Sequence, residues 1–340
     1  MNVRLFLIIL LWPMSVWGQG FAGLGTDADG FAVPQAGYVF DFPADHGPHP
    51  EYRIEWWYLT ANLMGDDGQR YGVQWTLFRN ALAPNEAQGF ASPQIWMGHA
   101  ALTSATDHFA TERFARGGTG QAGASVTELN AWIDDWELSE TTLTARGDTW
   151  SYDLAVQNQG PSVFHGDNGY SVKSEAGQAS YYYSQPYLLV DGVLNFPDRQ
   201  VSVTGSAWLD REWSSQPLAA DQKGWDWFSL SFDNGEKLMA FRLRDADGSY
   251  FTSGTWIDTD GITTRLGNGE IDFVPLVLHG VEGRTLPVSW KLSLPLRNVD
   301  VTVEPLNADS WMSVTIPYWE GPIIFDGENT GHGYLEMTGY

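Results

Sequence analysis

The 340-residue chain contains no cysteine. That excludes disulfides, thiolate zinc sites and cysteine nucleophiles. Positive charge is scarce: 18 Lys and Arg stand against 42 Asp and Glu, a formal net charge of -24. Phosphate contacts need basic patches, so a nucleic-acid partner is not expected. A surface of this sign is also repelled by anionic membranes. No Gly-x-Ser-x-Gly elbow, phosphate-binding loop or dinucleotide fingerprint occurs, which removes the usual signatures of serine hydrolases and nucleotide enzymes. Helical periodicity is nearly absent. The longest apolar run, Leu5 to Leu11, is too short to span a membrane, so no integral span is expected.

That run instead fits a secretory signal over residues 1–18. Arg4 supplies the charged start, and Val16-Trp17-Gly18 is a small-residue cleavage site. With no cysteine to carry lipid, the mature chain is expected to be periplasmic or secreted. Residues 19–37, rich in Gly and Asp, read as a flexible leader.

Aromatic residues are plentiful, at 14% with 17 Trp. They fall in many short β-branched and aromatic runs separated by Gly, Asn and Asp turns, a pattern that argues for an all-β protein. Tyr38 to Asp41 is expected to start the first strand. Ile54-Glu55-Trp56-Trp57-Tyr58-Leu59 aligns without gaps on Trp225-Asp226-Trp227-Phe228-Ser229-Leu230. Each is followed by a Gly-containing turn and a strand ending in Arg, at Arg79 and Arg244. This points to an internal duplication, with domains expected at 38–195 and 196–340 divided by the turn signals of Val190 to Arg199.

Alternation on the strand Val201 to Trp213 puts Trp208, Asp210 and Glu212 on one face. Asp226 shares a face with Phe228, Leu230 and Phe232. A carboxyl among apolar side chains needs a partner or a task. Asp210 either pairs with an arginine such as Arg244 or keeps a raised pKa and serves as a general acid. Asp45, His46 and His49 have ligand-like spacing, but hydrogen bonds to backbone account for the loop more simply, and neither a metal nor a cofactor is expected.

Three blocks carry a family resemblance: Phe42 to Leu63, containing Glu55-Trp56-Trp57-Tyr58; GSAWLDREWSSQPL with GWDWFSLSF, over 205–232; and the closing GHGYLEMTGY from Gly331. Together they resemble the AttH/CrtC family, secreted lipocalin-like proteins related to carotenoid 1,2-hydratase. The resemblance implies two lipocalin-like (calycin-type) antiparallel β-barrels. It also places Asp210 on the aspartate of the hydratase Tyr-x-Asp motif, with Trp208 where the tyrosine stands. Hydration of an isolated alkene needs a strong proton donor and aromatic faces to hold a carbocation. The expected catalytic set is therefore Asp210, Glu212 and Asp226. The expected ligand-contacting set is Trp208, Tyr183, Trp227, Glu55 and Trp57. Two functions follow: an acid-catalysed hydratase or isomerase acting on a small apolar, isoprenoid or lipid-like ligand, or a non-catalytic carrier of such a ligand, accessory to an ABC-type export system.

Overall fold

A computed structural model describes residues 21–26, 28–84 and 87–340. The expected signal segment lies outside the described residues. Among the described residues there are strands and short 3-10 turns and no α-helix.

The first sheet contains β1 (Ile54–Gly65), β2 (Arg70–Ala81), β3 (Gln94–Thr103), β4 (His108–Arg116), β5 (Ala122–Ala124), β6 (Asn130–Ile133) and β7 (Trp136–Ser139). It continues with β8 (Thr142–Arg146), β9 (Ser151–Asn158), β10 (Val163–Phe164), β11 (Tyr170–Val172), β12 (Ala179–Asn195) and β13 (Gln200–Ser214). The second contains β14 (Gln222–Phe232), β15 (Lys237–Asp245), β16 (Tyr250–Ile257), β17 (Thr263–Leu266) and β18 (Asp272–Val281). It ends with β19 (Arg284–Leu294), β20 (Val299–Pro305), β21 (Trp311–Met312), β22 (Tyr318–Gly327) and β23 (Gly331–Thr338).

Both sheets are antiparallel and follow one plan. The first runs β4-β3-β2-β1-β13-β12-β9-β8-β7-β6-β5, and the second β17-β16-β15-β14-β23-β22-β20-β19-β18. In each, the opening strand lies beside the closing one. The two hairpins that align in sequence hold the same place in their sheets. Glu55 faces Arg79 across β1–β2, and Asp226 faces Arg242 across β14–β15. The arginine opposite Asp226 is thus Arg242, and the strand-ending Arg244 lies two residues further along.

Two expectations need correction. β13 pairs with β1 and β12, so the division expected after residue 195 falls inside the first sheet. The chain passes between sheets after Ser214 and before Gln222. The turn signals at 190–199 mark the β12–β13 hairpin, and a hairpin turn and a linker have the same composition. Tyr38 to Asp41 forms no strand. Its aromatic side chains lie instead against Tyr181 and Trp213.

Each sheet curls around its own core. Trp57, Leu59, Trp75 and Leu209 fill the first, and Phe228, Leu230, Trp290 and Leu335 the second. A third cluster, including Tyr58, Tyr182, Trp208, Trp227 and Phe241, draws on both sheets and forms the seam between them. The sheets approach each other closely at Gly72 of β2, where a Cβ would stand 2.5 Å from Pro322 Cγ of β22.

Candidate active site at the seam of the two sheets

Strand alternation decides which side chains reach the seam. On β1, Glu55, Trp57 and Leu59 point into the first barrel, so Trp56 and Tyr58 point out of it. On β13, Leu209 and Arg211 point in, and Trp208, Asp210 and Glu212 point out. On β14, Asp226, Phe228 and Leu230 point into the second barrel, so Trp225 and Trp227 point out. The outward faces meet around a cavity of about 100 Å³ walled by Trp56, Tyr58, Tyr182, Trp225, Trp227 and Phe241. Asp210, Glu212, Glu336 and Lys173 also line it.

Asp210 is 2% exposed, and among the described residues no cation pairs with it. Its Oδ1 accepts hydrogen bonds from the Ser184 hydroxyl and, at 2.6 Å, from the Trp208 indole N–H. Its Oδ2 accepts one from the Tyr182 hydroxyl, which in turn accepts from Trp227 Nε1 at 3.0 Å. Burial penalises the carboxylate more than these donors favour it, and Asp210 is pushed up to about 7. A carboxyl poised there can hold or release a proton near neutrality.

The other acids of the cavity differ in their partners. Glu212 accepts from Ser180 and pairs with Lys173 at 2.8 Å. Lys173 lies over the Tyr182 and Phe241 rings at 4.7 and 4.3 Å. Glu336 accepts from Trp225 Nε1 at 2.8 Å. Burial, with the charges of Asp210 and Glu212, pushes Glu336 up to about 8. Directly opposite it on β22 stands Glu320, buried against the hydroxyls of Tyr58 and Tyr318. Burial and the facing Glu336 hold Glu320 well above the usual carboxylate range.

Asp210, Glu212, Trp208 and Trp227 are thus brought together. The remaining expected site residues lie elsewhere. Asp226 sits in the second barrel, bound by Arg242 at 2.7 and 2.9 Å and by the Tyr340 hydroxyl at 2.7 Å. Arg244 approaches the same Asp226 oxygen at 3.4 Å, so the ion pair considered for Asp210 is made by Asp226. Glu55 is its counterpart in the first barrel. It is bound by Arg79, by His49 Nδ1 at 3.0 Å and by Arg211 at 3.1 Å. Burial alone would raise its pKa, but Arg79, His49 and Arg211 prevail and hold it far below the usual range. Trp57 packs in the first core beneath the Arg211 guanidinium, 3.8 Å from the ring centroid. Tyr183 points away from the cavity and meets His46 Nδ1 at 2.6 Å. His46 and His49 therefore diverge, His49 bridging Asp45 and Glu55.

Sequence reasoning missed Tyr182, His165, Lys173, Trp56, Trp225 and Glu336. Alternation does separate Tyr182 from Tyr183, but which of the two faces Asp210 depends on the β12–β13 register. His165 follows the two-residue β10, too short to show a period. Glu336 lies in the closing block on the face of Tyr334, a signal that was readable.

Fold and site define a class: paired lipocalin-like antiparallel barrels with a buried acid site at their seam. The chain belongs to the AttH-like family, whose model matches residues 33–340. A solved structure of a candidate AttH protein from Nitrosomonas europaea is 32% identical, with a TM-score of 0.83, covering 91% of this chain and 99% of that one. Kievitone hydratase from Nectria haematococca shares the fold at 15% identity and a TM-score of 0.68, covering 91% of this chain and 95% of its own. No curated protein matches the sequence. Among the described residues no helix is long and apolar enough to cross a membrane.

Proposed function

We propose that the seam cavity adds water to, or isomerises, a carbon–carbon double bond in an apolar, isoprenoid- or lipid-like ligand, with Asp210 as the acid. One observation carries this reading: a buried carboxyl without a cation, near neutral pKa, opening onto an aromatic wall. Protonated Asp210 gives its proton to one alkene carbon. The cation left on the other carbon is held by the faces of Trp56, Trp225, Trp227 and Tyr182, about 0.5–2 kcal/mol each. Water bonds to that carbon and loses a proton to Glu212, the cavity carboxylate paired with Lys173. Loss of a neighbouring C–H proton instead gives the isomer. Trp208 stands where the hydratase motif has tyrosine, and Tyr182 supplies the hydroxyl at Asp210. That a hydratase shares the fold supports the reading at the level of architecture.

We extend the proposal to export, on the charged start, apolar run and small-residue site of residues 1–18. Fractionation should recover a chain beginning near Gln19 outside the cytosol; an uncleaved cytosolic chain would reject this.

The activity is tested by offering lipids extracted from the source cells in ¹⁸O-water and reading label in the products by mass spectrometry. Wild type should incorporate label or return a shifted double bond. Asp210→Asn should retain bound lipid and lose both. Bound lipid that wild type leaves unchanged would favour the carrier reading, in which the chain serves an export system.

A further inference from the structure

Asp210 does not end at its own hydrogen bonds. Ser184 Oγ, which donates to Asp210, lies 2.6 Å from His165 Nε2. The other ring nitrogen, Nδ1, lies 2.9 Å from Thr255 Oγ1. His165 is wholly buried. Its backbone is pinned by N–H to Tyr182 O at 3.1 Å and by Gly169 N–H to its own carbonyl at 2.9 Å, and its ring packs 4.2 Å from the Tyr182 ring. Ser184 belongs to β12 of the first sheet, His165 to the loop that follows β10, and Thr255 to β16 of the second sheet, so the chain of contacts crosses the seam.

We propose that His165 and Ser184 form a proton relay behind Asp210, away from the cavity, in which the charge of Asp210 sets which nitrogen of His165 carries the proton. A neutral imidazole has one donor nitrogen and one acceptor, and a hydroxyl can donate while it accepts. With Asp210 ionised, Ser184 donates to Oδ1, His165 Nε2–H donates to Ser184, and Nδ1 accepts from Thr255. A proton arriving at Nδ1 releases the Nε2 proton to Ser184, which releases its own to Asp210 Oδ1. One proton enters and one is delivered. His165 ends neutral with its proton on Nδ1, now donating to Thr255. No charge is left in the relay.

The surroundings suit this. Burial first, and then the Lys173 ammonium, hold His165 well below its ordinary pKa, so it stays neutral while it swaps. Lys173, paired with Glu212, is the cation acting on it, and Asp210 is the carboxyl at the far end of the relay. The relay rests on the reading of Asp210 as an acid, but it is observable without substrate.

The test uses the full chain labelled with ¹⁵N-histidine and ¹³C-aspartate, followed by NMR from about pH 5 to about 9, a window that brackets a raised carboxyl. His165→Gln and Asp210→Asn assign the signals. The expected result is a swap of the His165 proton from Nδ1 to Nε2 as pH rises, at the same midpoint as ionisation of Asp210. In Ser184→Ala, Asp210 should still titrate while His165 keeps one tautomer. If Asp210 titrates in wild type and His165 does not swap, the relay is wrong and the acid stands. A doubly protonated His165 at the midpoint also overturns the relay. If Asp210 stays ionised throughout, the acid reading falls and the relay with it.

Discussion

Asp210, Glu55 and Asp226 are all buried on strands, and their neighbours alone separate them. Glu55 and Asp226 each meet arginines, whereas among the described residues Asp210 is hydrogen-bonded by hydroxyls and an indole. Removing one side of a buried ion pair leaves the other uncompensated, at about 3–5 kcal/mol. Glu55→Gln should therefore destabilise the protein by about that much at neutral pH, as read by urea unfolding. The pH dependence has a definite sign. The folded pKa of Glu55 is depressed, so its contribution is present above the unfolded value, about 4.3, and is lost as pH falls through the folded one. The gap between Glu55→Gln and wild type should narrow in acid. A gap independent of pH, or one below about 1 kcal/mol, would contradict the ion-pair role. The recurring acid before the tryptophan is thus legible in sequence as recurring, but its task depends on a partner from another strand. Arg79 and Arg242 lie 24 and 16 residues away, and register alone brings them into contact.

At the scale of strands, alternation identified the face holding Trp208, Asp210 and Glu212, and two-residue periodicity reads such faces well. It cannot say whether a face turns into a barrel or out of it. The greasy face of Asp226 turns inward and becomes core, and the polar face of Asp210 turns outward and meets a second sheet. That second burial is why expected ligand contacts at Trp57 and Tyr183 lie away from the cavity while Trp56 and Tyr182 line it. Close approach at Gly72 is one contact between the sheets. In Gly72→Ala the new methyl would meet the Pro322 ring, which should cost about 1–3 kcal/mol as an overpacking strain. Pro322→Ala in the same chain should recover part of that loss, because the two sites touch. Additive effects in a double-mutant cycle would mean that the sheets do not meet there.

At the scale of the whole molecule, the outward faces of both barrels carry large apolar side chains that cover each other. Neither barrel could expose Tyr182, Trp208, Trp227 and Phe241 to water without losing about 1.5–3 kcal/mol for each fully buried large side chain. The two should therefore unfold together, as one calorimetric transition whose enthalpy equals the van't Hoff value; two resolved transitions would separate them. The repeated hairpin made two units legible, but no sequence pattern states how two units dock, and the candidate site lies in that docking. Because Asp210 is buried there, global stability reports its charge. Its folded pKa, about 7, is raised above the ordinary 3.8. Its stabilising contribution is therefore complete below the unfolded value and is lost as pH rises through about 7. Asn resembles the protonated acid and does not titrate. The most direct measurement is the difference in unfolding free energy between Asp210→Asn and wild type, taken from about pH 4 to about pH 8. The difference should move in favour of the variant as pH rises, by about 1.4 kcal/mol per unit across the shifted range. A variant that is instead less stable by about 3–5 kcal/mol at pH 8, as a broken ion pair would be, contradicts an acid held neutral between the sheets.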